Sequence, residues 1–144
     1  MPSLSILNPD PALLAGPGLL HDLVRWDSAA APALDFLGPE GSDERYSYTY
    51  AELRRCVASL TATLHDTLLS TGQGHPDPNG PQLIIPLLLP QSPALYIAQL
   101  AALQVGAAFC PINLDAPTER IKFIARDVQA KLIISTHDNA DAVT

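Results

Sequence analysis

The sequence predicts an α/β fold, a partial parallel sheet with flanking helices, preceded by an N-terminal β-hairpin. Three observations point to it. From Leu83 to Ser135, apolar runs and helix-periodic segments alternate as strand, helix, strand, helix, strand with short links, the order of a right-handed parallel layer. Between Pro78 and Leu114 there is no charged residue, an apolar density that suits parallel strands covered on both faces. Upstream, Ala33 to Leu37 and Arg45 to Thr49 flank the breaker-rich Gly38-Pro39-Glu40-Gly41-Ser42-Asp43, the pattern of two antiparallel strands joined by a loop.

Residues 1–18 carry Pro2, Pro9, Pro11 and Pro17 without apolar periodicity, and read as an irregular lead-in. Leu19, Leu20, Leu23, Val24 and Trp26 recur at helical spacing, which predicts a short amphipathic helix ending before Pro32. After the hairpin, Tyr50 to Leu69 is the clearest helix, with Leu53, Cys56, Val57, Leu60, Leu64 and Leu68 on one face. Its start is chemically specified: Thr49 with Glu52 three residues on makes a capping box, in which each residue's side chain bonds the other's backbone N–H.

Ser70 to Gln82, with Gly72, Gly74, Pro76, Pro78, Asn79-Gly80 and Pro81, is a polar surface loop of insertion type. Leu83 to Leu89 is a buried strand that Pro86 makes irregular. Ser92-Pro93 supplies an N-cap and an N1 proline, and Gly106 sits where a helix ends, so Pro93 to Val105 is a buried helix. Ala107 to Ile112 is the next strand. Pro117 to Val128 is the next helix, with Ile121, Ile124, Ala125 and Val128 inward and Glu119, Arg120, Lys122 and Arg126 outward. Lys131 to Ser135 closes the series as a strand. Three parallel strands have two open edges and need cover on both faces, so the layer reads as unfinished.

Composition excludes several functions. In 144 residues there are only eight Lys and Arg and a formal charge of −7, which disfavours nucleic acid as a partner because neutralising phosphates requires clustered cations. Pro81, Pro86, Pro90, Pro93 and Pro111 interrupt the apolar stretch, so no single helix of about 18 apolar residues forms and no membrane partner is expected. Cys56 and Cys110 lie far apart with no CxxC or metal-ligand spacing, which suits reduced, buried thiols. The first residues lack a basic stretch followed by a long apolar run, and no Asn-x-Ser/Thr sequon occurs; a cytoplasmic location is expected.

Residues that could carry chemistry have structural explanations. Glu52 sits at the third position of its helix, where capping accounts for it. Tyr46, Tyr48 and Tyr50 alternate at a strand end with nothing basic beside them, and are expected to pack on the following helix. His21, His65, His75 and His137 are scattered, so they predict no metal site. Cys110 lacks a basic partner that would lower its thiol pKa, and reads as core sulfur. Gly72-Gln73-Gly74 follows a helix and lacks a third Gly and a Lys, so it is not a phosphate loop.

Three stretches carry a family resemblance. Tyr48-Thr49-Tyr50-Ala51-Glu52-Leu53 resembles the first core motif of adenylation domains, L-[ST]-Y-x-E-L, with Tyr48 in place of Leu. Leu103-Gln104-Val105-Gly106-Ala107-Ala108-Phe109-Cys110-Pro111-Ile112-Asn113 is similar to the second, L-K-A-G-x-A-Y-V-P-I-D, with Gln104, Val105, Phe109, Cys110 and Asn113 substituted. Asp115-Ala116-Pro117-Thr118-Glu119-Arg120-Ile121, Asp127 and Ala130 to Ile134 look like the family's D-x-x-x-P-x-E-R-I and the helix and strand after it. That stretch favours nonribosomal peptide synthetases over acyl-CoA ligases and luciferases. The resemblance covers roughly residues 20–136, in matching order, apart from the 70–82 loop.

The resemblance implies that residues 19–144 form an incomplete N-terminal subdomain of the adenylate-forming fold, with the 70–82 loop as an insertion. The implied parent forms an acyl-adenylate from ATP, with Mg, and passes the acyl group to a phosphopantetheine carrier. Its remaining adenylation domain is this segment's expected partner. Family members bind ATP phosphates through a later Ser/Thr/Gly-rich loop ending in Pro-Lys, hold the ribose with an Asp, and take a catalytic Lys from a C-terminal lid. None of these motifs occurs in the 144 residues. No catalytic, cofactor-binding or metal residue is therefore assigned, no cofactor is expected on this segment, and it is expected to be inactive alone. The alternatives are a free-standing, non-catalytic α/β interaction module, or a fragment of an acyl-CoA ligase.

Overall fold

The computed structural model of the chain describes residues 20–24, 26–38, 43–71 and 80–139. The expected lead-in, the centre of the hairpin loop, and residues 72–79 with Gly72-Gln73-Gly74 and His75 lie outside them. Strands β1 (Pro32–Leu37) and β2 (Arg45–Thr49) form the antiparallel hairpin, with Phe36 opposite Tyr46 and Leu37 opposite Arg45. Helices α1 (Tyr50–Ser70), α2 (Pro93–Gln104) and α3 (Thr118–Asp127) accompany strands β3 (Ile84–Leu88), β4 (Ala108–Pro111) and β5 (Ile134–Ser135). The second sheet is parallel and ordered β4-β3-β5.

Alternation along the central strand sends its side chains to two cores. Ile85, Leu87 and Leu89 join Leu53, Val57 and Leu64 of α1 and Ala98, Ala101 and Ala102 of α2. Leu88 faces the opposite way, against Ile112 and Ile121 of α3. Helices therefore cover both faces of β3, which explains why its sequence is apolar at consecutive positions. Where α1 and α2 meet, Thr61 Oγ1 lies 3.1 Å from Gln104 Oε1 and 2.8 Å from its own helix's Val57 carbonyl.

The helix ends follow local chemistry closely. Gly106 has φ 83°, its N–H donates to Leu103 O, and the Ala107 N–H donates to Ala102 O. This is a Schellman ending, for which a left-handed residue is required and glycine has no Cβ to oppose it. Helix α3 ends the same way, with Gln129 N–H on Arg126 O and Ala130 N–H on Ala125 O. There the left-handed position is filled by Gln129, φ 51°, so no glycine marked it in the sequence.

Three expectations are corrected. The helix expected across Leu19 to Trp26 is a single 3-10 turn at Leu20–Leu23, with an i to i+3 bond from Val24 N–H to His21 O. Beyond it Trp26 packs edge-on against Tyr50, ring centroids 6.2 Å apart and planes at 87°, so tertiary packing outweighs a short periodic run. Ser92 occupies the N-cap of α2, but its hydroxyl makes no cap bond and donates to Pro90 O. The cysteines are free, as expected, but half-buried rather than buried.

The last strand is shorter than its apolar run, for a reason that lies on its neighbour. Ala108 N–H donates to Leu83 O and Ile112 N–H to Leu87 O, so the odd-numbered backbone groups of β3 face β4. The even-numbered groups must then face β5. Pro86 is one of them, and it has no N–H to donate. Pairing with β5 is confined to Leu87 with Ile134 and Leu88 with Ser135, beyond the proline. Replacing Pro86 with Ala should restore the missing donor to the carbonyl of Leu132, so the new amide at 86 should exchange slowly in a site-resolved hydrogen-exchange experiment. Rapid exchange there would show that something other than the proline truncates β5.

Candidate functional site

The first motif segment forms a corner in which every early donor of α1 is occupied. Thr49 Oγ1 accepts the Glu52 N–H at 3.3 Å, while Glu52 Oε2 accepts the Thr49 N–H and hydroxyl, both at 2.9 Å. The N–H groups of Tyr50 and Ala51 donate to Ala31 O and Ala29 O, each at 3.0 Å. A helix N-terminus binds anions through unpaired N–H groups, and here residues 50 to 52 have already spent theirs. The backbone bond from Thr49, followed by its hydroxyl, holds the Glu52 carboxyl below its ordinary range. Glu52 is thus a capping group, as its position predicted.

The tyrosines divide by role. Tyr48 packs on the core, as expected, whereas Tyr50 opens α1 itself and meets Trp26. Tyr46 stays exposed and donates to Glu44 at 3.1 Å, which raises its phenol pKa. Across the hairpin, Asp35 accepts from Arg45 Nε and from Ser47 Oγ, both at 2.9 Å, and a second Arg45 contact reaches Asp35 Oδ2. The Arg45 bond, with Ser47 second, lowers the Asp35 pKa. This pair is exposed, so it orients strands more than it stabilises them.

The second motif segment passes from the end of α2 through Gly106 into β4 and leads to an open crevice. At the carboxyl ends of β3 and β4, a cavity of about 500 Å³ is lined by polar Gln91, Tyr96, Gln99, Asn113 and Asp115 over an apolar floor that includes Leu89 and Ile112. Open α/β sheets bind ligands outside the carboxyl ends of their strands, which makes this the candidate site. Asp115 N–H donates to Asn113 Oδ1 at 3.1 Å, fixing the turn after β4. Among the described residues the lining contains no Lys or Arg, so a phosphate group would find hydrogen bonds but no countercharge. A larger groove, about 600 Å³, runs along α1 beside Tyr48, Arg55, Cys56 and Ser59. It lies at the helix surface rather than at the strand ends, and its carboxylate, Glu52, is committed to capping.

Sequence reasoning assigned no site residue; it quoted Asn113 and Asp115 only as motif positions and gave Gln91, Tyr96 and Gln99 no role. The usable signal was position alone: Gln91 and Asn113 each follow an apolar strand by two or three residues. His21, His65 and His137 lie on the 3-10 turn, on α1 and after β5. Among the described residues no three His, Cys, Asp or Glu side chains are grouped to hold a metal. No helix among them is long and apolar enough to cross a membrane.

These features define a doubly wound α/β layer whose strand-end crevice lacks a phosphate cradle. A family model described as AMP-binding enzyme matches residues 26–144, and the chain belongs to that family. It is homologous to the N-terminal part of nonribosomal peptide synthetase adenylation domains. It is 43% identical over 132 residues to nonribosomal peptide synthetase sidC of Arthroderma benhamiae, covering 92% of this chain and 2% of that protein. Nonribosomal peptide synthetase 2 of Gibberella zeae is 41% identical over 140 residues, covering 97% of this chain and 3% of its own. Among solved structures, the Klebsiella oxytoca NpsA N-terminal subdomain superposes with a TM-score of 0.63 at 25% identity, over 87% of this chain and 28% of that one. A Brucella canis acyl-CoA synthetase shares the fold, with a TM-score of 0.65 at 20% identity over 81% of this chain and 19% of its own.

Removing the cap tests the corner. Thr49→Ala should cost about 1 kcal/mol in a denaturant titration at neutral pH. Because the folded Glu52 pKa is depressed, its contribution is present above the ordinary glutamate pKa and lost as pH falls through the folded value. The gap between wild type and T49A should therefore narrow in acid. A gap independent of pH would contradict the reciprocal cap.

Proposed function

We propose that this chain serves as scaffold in an amino-acid-activating adenylation domain of a nonribosomal peptide synthetase. The observation that carries the reading is the family match over residues 26–144, laid on a parallel layer that superposes on the NpsA N-terminal subdomain. In this reading the parent joins a carboxylic acid, an amino or hydroxy acid, to the AMP part of ATP with loss of pyrophosphate, using Mg, and then thioesterifies a phosphopantetheine carrier. The residues present here support that site without entering it. A strand-end crevice with a carboxylate and no cation, and a capped α1, suit scaffold better than nucleotide binding. The partner is the remainder of the adenylation domain, and the compartment is the cytoplasm; neither nucleic acid nor membrane is a partner.

The test uses one chimaera and one control. When these residues replace the matching segment in the adenylation domain of the Arthroderma benhamiae synthetase, ATP–pyrophosphate exchange with that domain's amino acid should persist. The isolated chain should give none with any amino acid. Exchange by the isolated chain, or a folded chimaera without exchange, would refute the scaffold role.

A further inference from the structure

Positive charge is unevenly spread along the chain. Arg120, Lys122, Arg126 and Lys131, half of the eight Lys and Arg, fall on α3 and the link that follows it, where the acidic residues are Glu119 and Asp127. Residues 118–131 thus carry +2 within a chain of −7, and the remainder carries −9. Arg120, Arg126 and Lys131 are exposed, and Lys122 is half-buried. No ion pair ties any of the four to a carboxylate among the described residues, so their charge is not spent inside the fold.

At the centre of this face stands an aromatic ring that the core does not use. Helix α3 packs Ile121 with Leu88 and Ile112, and Ile124 lies beside them, whereas Phe123 is 54% exposed. One helical turn before Phe123 come Glu119 and Arg120, and one turn after it Arg126 and Asp127. The Arg120 guanidinium sits 5.5 Å from the ring centroid, within cation–π range. A solvated helix face has no need of phenylalanine. An exposed ring beside arginines is instead the composition of binding hot spots.

We propose that the outer face of α3 is a docking surface for a net-acidic protein surface that brings an apolar side chain against Phe123. An apolar layer cannot cover this face, because withdrawing its charged side chains from water without partners costs more than covering one ring returns. The same charges choose among anionic partners. Glu119 and Asp127 flank the ring and repel a uniform polyanion, whether a phosphate backbone or an anionic bilayer, and the −9 on the remainder of the chain adds to that repulsion. A protein surface can set carboxylates against Arg120, Arg126 and Lys131 while leaving hydrogen-bond donors for the two acidic positions. Such alternation of sign fixes register and rejects wrong partners.

Titrating the full chain with two acidic probes, a glutamate–tyrosine copolymer and poly-glutamate of matched length, tests the assignment through amide chemical shifts. The copolymer should move the amides of α3 and Lys131 first, and poly-glutamate should bind about tenfold or more weakly because it offers Phe123 no apolar partner. Binding should weaken as ionic strength rises from about 0.05 to about 0.5 M. Arg126→Glu combined with Lys131→Glu should weaken the copolymer about tenfold or more, and Phe123→Ser should abolish the difference between the probes. All three positions are exposed, so the circular dichroism of both variants should match the wild type. Shifts centred away from α3, or unchanged affinity in the charge-reversed variant, overturn the docking surface. Equal affinity of the wild type for both probes removes the role of Phe123 and overturns the proposal as stated. Tighter binding of a DNA duplex or of phosphatidylserine vesicles than of the copolymer makes a polyanion the occupant, and self-association that moves the same amides makes it a second copy; either result overturns the proposal.

Discussion

Strand β3 is the constraint on which the remaining structure depends. Among the described residues it is the one strand with neighbours on both sides, and Ile85, Pro86, Leu87 and Leu88 are all among the largest fully buried side chains. Each large apolar side chain so placed contributes about 1.5–3 kcal/mol relative to exposure. Because successive residues point to opposite faces, burying the whole run requires a helical layer on each face. Helices α1 and α2 provide one and α3 the other, and the chain has to cross from one side of β3 to the other between β4 and β5. The strand order β4-β3-β5 is the consequence.

The hairpin and the start of α1 are tied to that core by a separate device. The capping box, the two carbonyls of Ala29 and Ala31 and the Trp26–Tyr50 contact fix how the chain enters the helix. They also consume the donors that might have met an anion. The electrostatic character of the crevice agrees, since Asp115 would repel phosphate and no nearby cation in the lining offsets it. This combination of strong local caps and a weak binding surface suits the scaffold role proposed for the segment.

Membership of the AMP-binding enzyme family places these features in a larger frame. The chain spans 2–3% of the length of its first fungal relatives. The departures from the second core motif are mild in physical terms. Gln104 approaches Thr61 across the α1–α2 contact, while Phe109 and Cys110 preserve an apolar strand. Gly106, which the turn geometry requires, is retained.

The sequence by itself determined the features governed by neighbours along the chain. The Thr49–Glu52 cap, the Gly106 ending and the alternation of strands and helices each depend on residues within a few positions, where periodicity and turn chemistry act directly. Only the tertiary structure decided the features in which distant segments share a bond or a surface. It reduced the run near Trp26 to one turn, because Tyr50 offered the indole a better contact. It gathered Gln91, Tyr96 and Asp115 at one mouth although no local pattern links them. It also shortened β5, because the missing N–H of Pro86 matters only once the ladder directs that position towards β5 rather than β4. Local rules could name the proline; the direction it faced was a property of the assembled sheet.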